Sequence, residues 1–392
     1  MSGSRTFALA ILHHPGRLDM GGYIAESREV KDNKHAFDAG RSFQVPMDLR
    51  QASILLLIAS IILCAMGAAF TCSNGLTGCF LMFAAIPCVA GIGSLYQFVA
   101  TVWDKWNYGP PGKMVEVNGR LLHINHAGSG SPTVVLEAGL GAMSSGWGWI
   151  QPEVAKFTRV VSYDREGLGW SEGGSGFTSA SNAVNQLNEL LQTSSIEGPY
   201  VLVGHSMGGL LVRVFANKYP EKVAGIVLVD ASHPDQYTRS HAIRRHMNAG
   251  FRMLKKIPFL TKMGYVRLTR FLHSQAEGLP VRQRREAEVF LTSYTHLKAT
   301  LNESRAWDTI CEEVRHTRHL GNLPLAVVSA GKDVLPGSGE LQAELAAISS
   351  DSAHQVVEGA THVTLVTHRG HAMSVVAAVR QVVEKAAASC AH

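Results

Sequence analysis

Charge is scarce in this chain of 392 residues: Asp, Glu, Lys and Arg together make up 17%, against roughly 25% in an ordinary soluble protein. Hydrophobic residues reach 46%, so apolar sequence is concentrated somewhere, and a membrane is its natural sink. Cysteine is sparse as well. Of six, Cys64, Cys72, Cys79 and Cys88 share one apolar stretch, while Cys311 and Cys390 stand alone. That pattern excludes a CxxC metal pair and a disulfide framework, and the thiols read as small apolar side chains. A formal net charge of +5 is too mild to indicate nucleic acid, and neither zinc-finger spacing nor an aromatic-basic RNA motif occurs. With no metal-ligand spacing and no dinucleotide-type glycine turn, no cofactor and no metal are expected.

The longest absence is of charge itself: residues 51–103 contain no Asp, Glu, Lys or Arg. A helix needs only about 20 apolar residues to cross a bilayer, so the run divides into two spans, Ile54 to Cys72 and Leu76 to about Val102, with Ser73-Asn74-Gly75 as the turn. Tyr96, Trp103 and Trp106 would anchor the end of the second span at an interface. Arg41 and Arg50 precede the hairpin, Lys105 and Lys113 follow it, and the turn carries neither Lys nor Arg. The positive-inside rule then places both flanks, and the rest of the chain beyond them, in the cytoplasm. A cleaved signal peptide is disfavoured by the length of sequence ahead of the apolar run. Residues 1–50 lack sustained periodicity and read as a poorly ordered extension. Their His14-x4-Asp19 spacing is a chance match with no fold behind it.

From Met114 onward short β-branched runs alternate with helical patterns. Met114–Val117 and Leu121–Ile124 flank Asn118-Gly119, a strong hairpin signal. Further strands are expected at Thr133–Leu136, Val160–Tyr163, Tyr200–Val203, Ile226–Val229, Leu325–Ser329 and Gln355–Val357, and helices at Ala183–Gln192, Met207–Tyr219 and His371–Ala387. This rhythm describes a mostly parallel sheet covered on both faces. It is broken from His233 to Leu320, a strand-free stretch of helical pattern that reads as an inserted cap. The expected units are therefore 1–50, the membrane hairpin 51–106, a first core part 107–232, the cap 233–322 and a second core part 323–392. The linker Asn107–Gly112, with two prolines and two glycines, should let the hairpin and the core fold independently.

The decisive motif is Gly204-His205-Ser206-Met207-Gly208-Gly209, between the strand Tyr200–Val203 and an apolar-periodic helix. G-x-S-x-G in that context is a nucleophile elbow, where a sharp strand-to-helix turn exposes the serine above a helix N-terminus. A serine hydroxyl needs a base, and the base needs an orienting carboxylate. Strand-then-loop segments downstream end in Asp333 and in His362, which gives the order Ser206, Asp333, His362. Asp230, at the end of Ile226–Val229, is the rival acid. His205, though next to the nucleophile, is expected to point elsewhere.

From about Tyr108 to the C-terminus the chain resembles the α/β-hydrolase superfamily, particularly its bacterial membrane-anchored, uncharacterised hydrolases. The resemblance rests on Pro132–Gly141, Ser162–Ser171, the elbow, Val229–Asp235 and the Asp333 and His362 turns. It implies an oxyanion hole from the backbone N–H groups of Leu140 and Met207. Where many relatives have His-Gly, this chain has Ala138-Gly139; the donor is main chain, so the hole survives the change. Met143 and Trp147 on the same loop could line an acyl pocket or simply pack, and Asp164-Arg165 is expected to fasten a loop. Serine at the elbow argues against branches that use aspartate there.

The expected activity is cofactor-free cleavage of a carboxylic ester, or a related thioester, lactone or amide, through an acyl-enzyme. The alternatives are a silent scaffold for ligand or protein binding, and a perhydrolase or lyase on the same triad. Between Arg239 and Leu320 sixteen Lys and Arg face seven Asp and Glu. A basic surface interleaved with Phe251, Phe259, Leu260 and Phe271 suits anionic headgroups. The expected partners are thus an apolar or amphiphilic small molecule and the lipid bilayer.

Overall fold

The computed structural model describes residues 75–390 apart from 175 and 318, with side chains in the first helix described from Cys88 onward except Lys105, and with the side chain of Cys390 left out. Eight strands form one sheet in the order β1-β2-β4-β3-β5-β6-β7-β8. They are β1 Lys113–Val117, β2 Arg120–Ala127, β3 Thr133–Glu137, β4 Val160–Tyr163, β5 Tyr200–His205, β6 Val223–Val229, β7 Leu325–Ala330 and β8 Ser352–Val357. β1 and β2 form the Asn118-Gly119 hairpin, β2 pairs antiparallel with β4, and every later pairing is parallel. All eight expected strands are present.

The helices used below are α1 Gly75–Asn107, α2 Ala180–Thr193, α3 Met207–Lys218, α4 His241–Leu254, α5 Ile257–Lys262, α6 Tyr265–Thr269, α7 Val281–Phe290, α8 Tyr294–Arg305, α9 Trp307–Arg315 and α10 Arg369–Cys390. The central strands are apolar on both sides because both faces are covered. Along β5, Tyr200 and Leu202 belong to the core shared with α2, α3 and α9, whereas Val201 and Val203 pack with α10 and the short helix Ile150–Val154. Helices α4 to α9 lie between β6 and β7 and hold a third core of their own, built on Ile257, Val266, Leu272 and Leu291. This is the cap.

The second expected span falls inside α1; residues 1–50 and the first span, Ile54 to Cys72, lie outside the described residues. Among the described residues no helix is long and apolar enough to cross a membrane. The expected independence of α1 from the rest is corrected. Its last four turns pack on the cap, where Gln97 Nε2 donates to the Thr292 carbonyl at 2.8 Å and Asp104 pairs with Arg267 at 2.7 Å. Backbone meets backbone at Gly93, where a Cβ would lie 2.2 Å from the Met263 carbonyl oxygen. The sequence shows the reason in its spacing: Gln97 and Asp104 are two turns apart, so these two polar groups of a largely apolar helix face one partner.

Candidate active site

Ser206 is the single residue between the end of β5 and the start of α3, with φ 54° and ψ −122°. Such a left-handed backbone in a non-glycine residue costs on the order of 1–3 kcal/mol and persists only where surroundings impose it. Here the Ser206 N–H donates to the Val229 carbonyl at 3.1 Å, and the Ser206 carbonyl accepts from Gly209 and Ser232 at 3.0 and 2.9 Å. The glycines are required by contact. A Cβ on Gly204 would stand 2.6 Å from the Gly208 carbonyl oxygen, and one on Gly208 would stand 2.3 Å from that of Glu137. Met207 is the first residue of α3, so its N–H has no intrahelical acceptor. The loop carrying Leu140 passes beside it: a Cβ on Gly139 would lie 3.1 Å from the Ser206 Cβ.

His362 follows β8, and its Nδ1 donates to Asp230 Oδ2 at 2.6 Å. Asp333 was the expected acid, and this is corrected: Asp333 is exposed in a turn with φ 57°, while Asp230 holds the histidine. Sheet order explains the difference. β6 is the immediate neighbour of β5, and β7 is one strand farther, so the residue ending β6 lies beside the elbow; two residues on, Ser232 bonds Ser206 itself. Oδ1 of Asp230 also accepts from the Ala330 N–H at 3.1 Å. Burial pushes the Asp230 carboxyl up, but the hydrogen bond and charge of His362, with the Ala330 N–H, outweigh it and bring the pKa below the ordinary carboxylate value. The carboxylate is ionised at neutral pH.

Two histidines at this site escape simple sequence reading. His205 does not point away from it: Nε2 donates to the His362 carbonyl at 3.0 Å, and the two rings lie 4.7 Å apart. Burial first, and the neighbouring His362 second, lower its pKa to about 3, so it stays neutral and serves as a prop. Strand alternation was the available signal, since residues 201, 203 and 205 share the face that α10 and the His362 loop cover. On the cap, burial first and the charge of His362 second lower the pKa of His246 of α4 to about 4.

Met143 is buried in the cap core and Trp147 against the sheet, with the Trp147 ring edge-on to His205 at 6.5 Å. Packing, rather than an open pocket wall, is what the structure supports for both. Asp164 fastens a loop as expected, accepting from the Ser144 N–H at 2.7 Å, the Trp170 N–H at 3.2 Å and His123 Nδ1 at 2.8 Å. Among the described residues no group of His, Cys, Asp and Glu could hold a metal.

Comparison with known proteins bears on the fold. A family model described as alpha/beta hydrolase fold matches residues 132–248. The uncharacterised protein YbdG of Bacillus subtilis (strain 168) is 28% identical over 152 residues, 38% of this chain and 47% of its own. A 2-hydroxy-6-oxononadienedioate/2-hydroxy-6-oxononatrienedioate hydrolase of Paraburkholderia xenovorans (strain LB400) is 38% identical over 116 residues, 28% of this chain and 39% of its own. The matched segment thus spans half or less of these curated relatives. Among solved structures, ALR0039 of Nostoc sp PCC 7120, provisionally assigned to the alpha/beta hydrolases, superposes with a TM-score of 0.58 at 16% identity, covering 68% of this chain and 95% of that one. The narrower likeness to membrane-anchored bacterial hydrolases draws no support from these relatives. Residues 132–248 thus match the alpha/beta hydrolase family in sequence, and the described chain shares the fold of solved alpha/beta hydrolases.

Proposed function

We propose that the protein is a serine hydrolase that cleaves a carboxylic ester, or a related thioester, lactone or amide, through an acyl-enzyme on Ser206. The observation that carries this reading is the 2.6 Å hydrogen bond between His362 Nδ1 and Asp230 Oδ2 beside a serine held in the elbow conformation. With Nδ1–H committed to Asp230, the His362 Nε2 lone pair is left to accept the Ser206 proton. Ser206 Oγ then attacks the acyl carbon, and the carbonyl π electrons move onto its oxygen. The Met207 and Leu140 N–H groups stabilise that charge, each donor of this kind being worth about 10²–10³ in rate. Collapse expels the alkoxide, which takes the proton from His362; water, deprotonated by the same histidine, repeats the sequence and releases the acid.

An apolar or amphiphilic substrate follows from the setting. On α1, Leu95, Phe98 and Trp106 are 64%, 66% and 86% exposed, at helical spacings that put them on one face. Phe259 and Tyr265 of the adjoining α5 and α6 are exposed too. Leu95 and Phe98 fall within the uncharged run 51–103, and their helix packs on the basic cap through Gln97 and Asp104. A two-span anchor with cytoplasmic flanks would seat that face on anionic lipid. The test is turnover by the full chain of p-nitrophenyl esters of graded chain length, with lactones and amides alongside. Hydrolysis that Ser206→Ala abolishes supports the reading. Ligand binding without turnover of any of them would favour a silent scaffold.

A further inference from the structure

Helix α8 of the cap grips the loop that carries the Leu140 N–H. The grip begins at Arg165, which is buried and uses four of the five N–H donors a guanidinium has. Its Nε donates to Glu303 at 2.6 Å, its Nη1 to Glu137 and to the Ala138 carbonyl at 2.8 Å, and its Nη2 to the Gly139 carbonyl at 2.7 Å. The last bond matters most. Gly139 C=O and Leu140 N–H belong to one planar trans peptide and point in opposite directions, so an oxygen pinned by Arg165 fixes the direction of the N–H.

Glu303 and His296 hold the next peptides. Glu303 Oε2 accepts from the Gly141 N–H at 2.7 Å, while Oε1 is the acceptor for Arg165. His296 Nδ1 accepts from the Gly169 N–H at 3.1 Å, which leaves the ring proton on Nε2 to donate to the Gly141 carbonyl at 3.0 Å. Burial lowers the His296 pKa to about 4, so this tautomer is kept across the neutral range. Residues 296 and 303 are seven apart, two turns on one helix face. Thr300 lies between them, and α8 is seated so closely that a Cβ on Gly141, where φ is 63°, would come 2.4 Å from Thr300 Cγ2.

We infer that Arg165, Glu303 and His296 are positioning residues of the oxyanion site, and that the cap helix α8 is thereby a working part of the catalytic centre. The inference rests on the serine-hydrolase reading. Its consequence is that disturbance of α8 reaches the transition state, where charge develops on the oxyanion, more than it reaches substrate binding.

The experiment measures kcat and KM for p-nitrophenyl butyrate with His296→Phe and His296→Gln in the full chain, and fluorophosphonate labelling of wild type in parallel. Gln places an amide N–H about where Nε2–H lies, whereas Phe has no donor. His296→Phe should lower kcat and kcat/KM together by about 10–100-fold, with KM within twofold, and His296→Gln should recover most of that loss. If His296→Phe does not fold, Glu303→Gln gives the same reading. Its single amide oxygen can serve Gly141 or Arg165 but not both, so kcat should again fall at constant KM. Unchanged kcat in a folded variant, an equal loss in Phe and Gln, or a loss carried by KM would overturn the inference. Absence of labelling in wild type would instead overturn the serine-hydrolase reading on which it stands.

Discussion

Replacing Asp230 by Asn should cost about 10⁴ in kcat, and the hydrogen bonds of the carboxylate say why. An Asn side chain offers one oxygen and one NH2 where Asp230 offers two acceptors, to His362 Nδ1 at 2.6 Å and to the Ala330 N–H at 3.1 Å. The Ala330 N–H can only donate, so it takes the amide oxygen. The NH2 is left facing His362, which must present its Nδ1 lone pair and move its proton to Nε2. In that tautomer the histidine cannot accept the Ser206 proton. A loss of this type is about 10⁴-fold, or roughly 5.5 kcal/mol at 1.36 kcal/mol per decade. Asp333→Asn should stay within about twofold, because Asp333 is exposed and Asn tolerates its left-handed backbone. The assay is kcat on one p-nitrophenyl ester for both variants, with circular dichroism to confirm folding. A large loss at Asp333 with a small one at Asp230 would refute the reasoning.

Further outcomes follow from the same contacts. The His123–Asp164 pair should stabilise the fold only inside a pH window. Burial would depress His123, yet the Asp164 hydrogen bond and charge and the Pro111 carbonyl outweigh it and raise its pKa. The stabilisation is therefore full below about pH 6.5 and lost as pH rises through the higher folded value. Asp164, buried but held below its ordinary value by His123 and the Ser144 and Trp170 N–H groups, contributes above about pH 4 and loses that contribution as pH falls through its lowered folded value. The Tm advantage of wild type over His123→Asn should accordingly be largest between about pH 4 and 6.5; a flat difference from pH 4 to 9 would contradict this assignment. His205→Ala should lower kcat by about tenfold through a looser His362 loop, and no change in kcat would show that the prop is unnecessary. Deleting residues 1–106 removes Gln97 and Asp104 from the cap, whereas deleting 1–87 keeps them. The shorter product should melt several degrees lower, at about 2–4 °C per kcal/mol, and equal Tm values would mean that α1 lends the cap nothing.

Much of the fold was legible because the central strands are buried on both faces and so read as short, nearly continuous apolar runs rich in valine. Tyr200–Val203 and Leu325–Ser329 are cases where pattern and burial coincide. Ser206 was legible for a different reason: the elbow needs glycines at fixed offsets, and close approach leaves no alternative. The acid was not. Asp230 and Asp333 both follow strands, and the choice between them depends on which strand neighbours β5, a property of sheet order that no local pattern encodes. The His296 and Glu303 grip was equally hidden, since it joins residues 155 and 162 positions apart in the chain across the insertion. The docking of α1 was obscured by its own composition. Gln97 inside the uncharged run and Asp104 just past its end carry the contact, and the apolar length between them and residue 51 resembles a free-standing anchor.

The central claim is that Ser206 is a nucleophile activated by His362 and Asp230. Its most direct test is mass spectrometry of the full native chain after treatment with a fluorophosphonate, with the modified peptide mapped. A single adduct on Ser206, absent after heat denaturation and strongly slowed in Asp230→Asn, is the predicted result. An unmodified chain, an adduct on another residue, or labelling of Ser206 at the same rate in wild type and Asp230→Asn would contradict it.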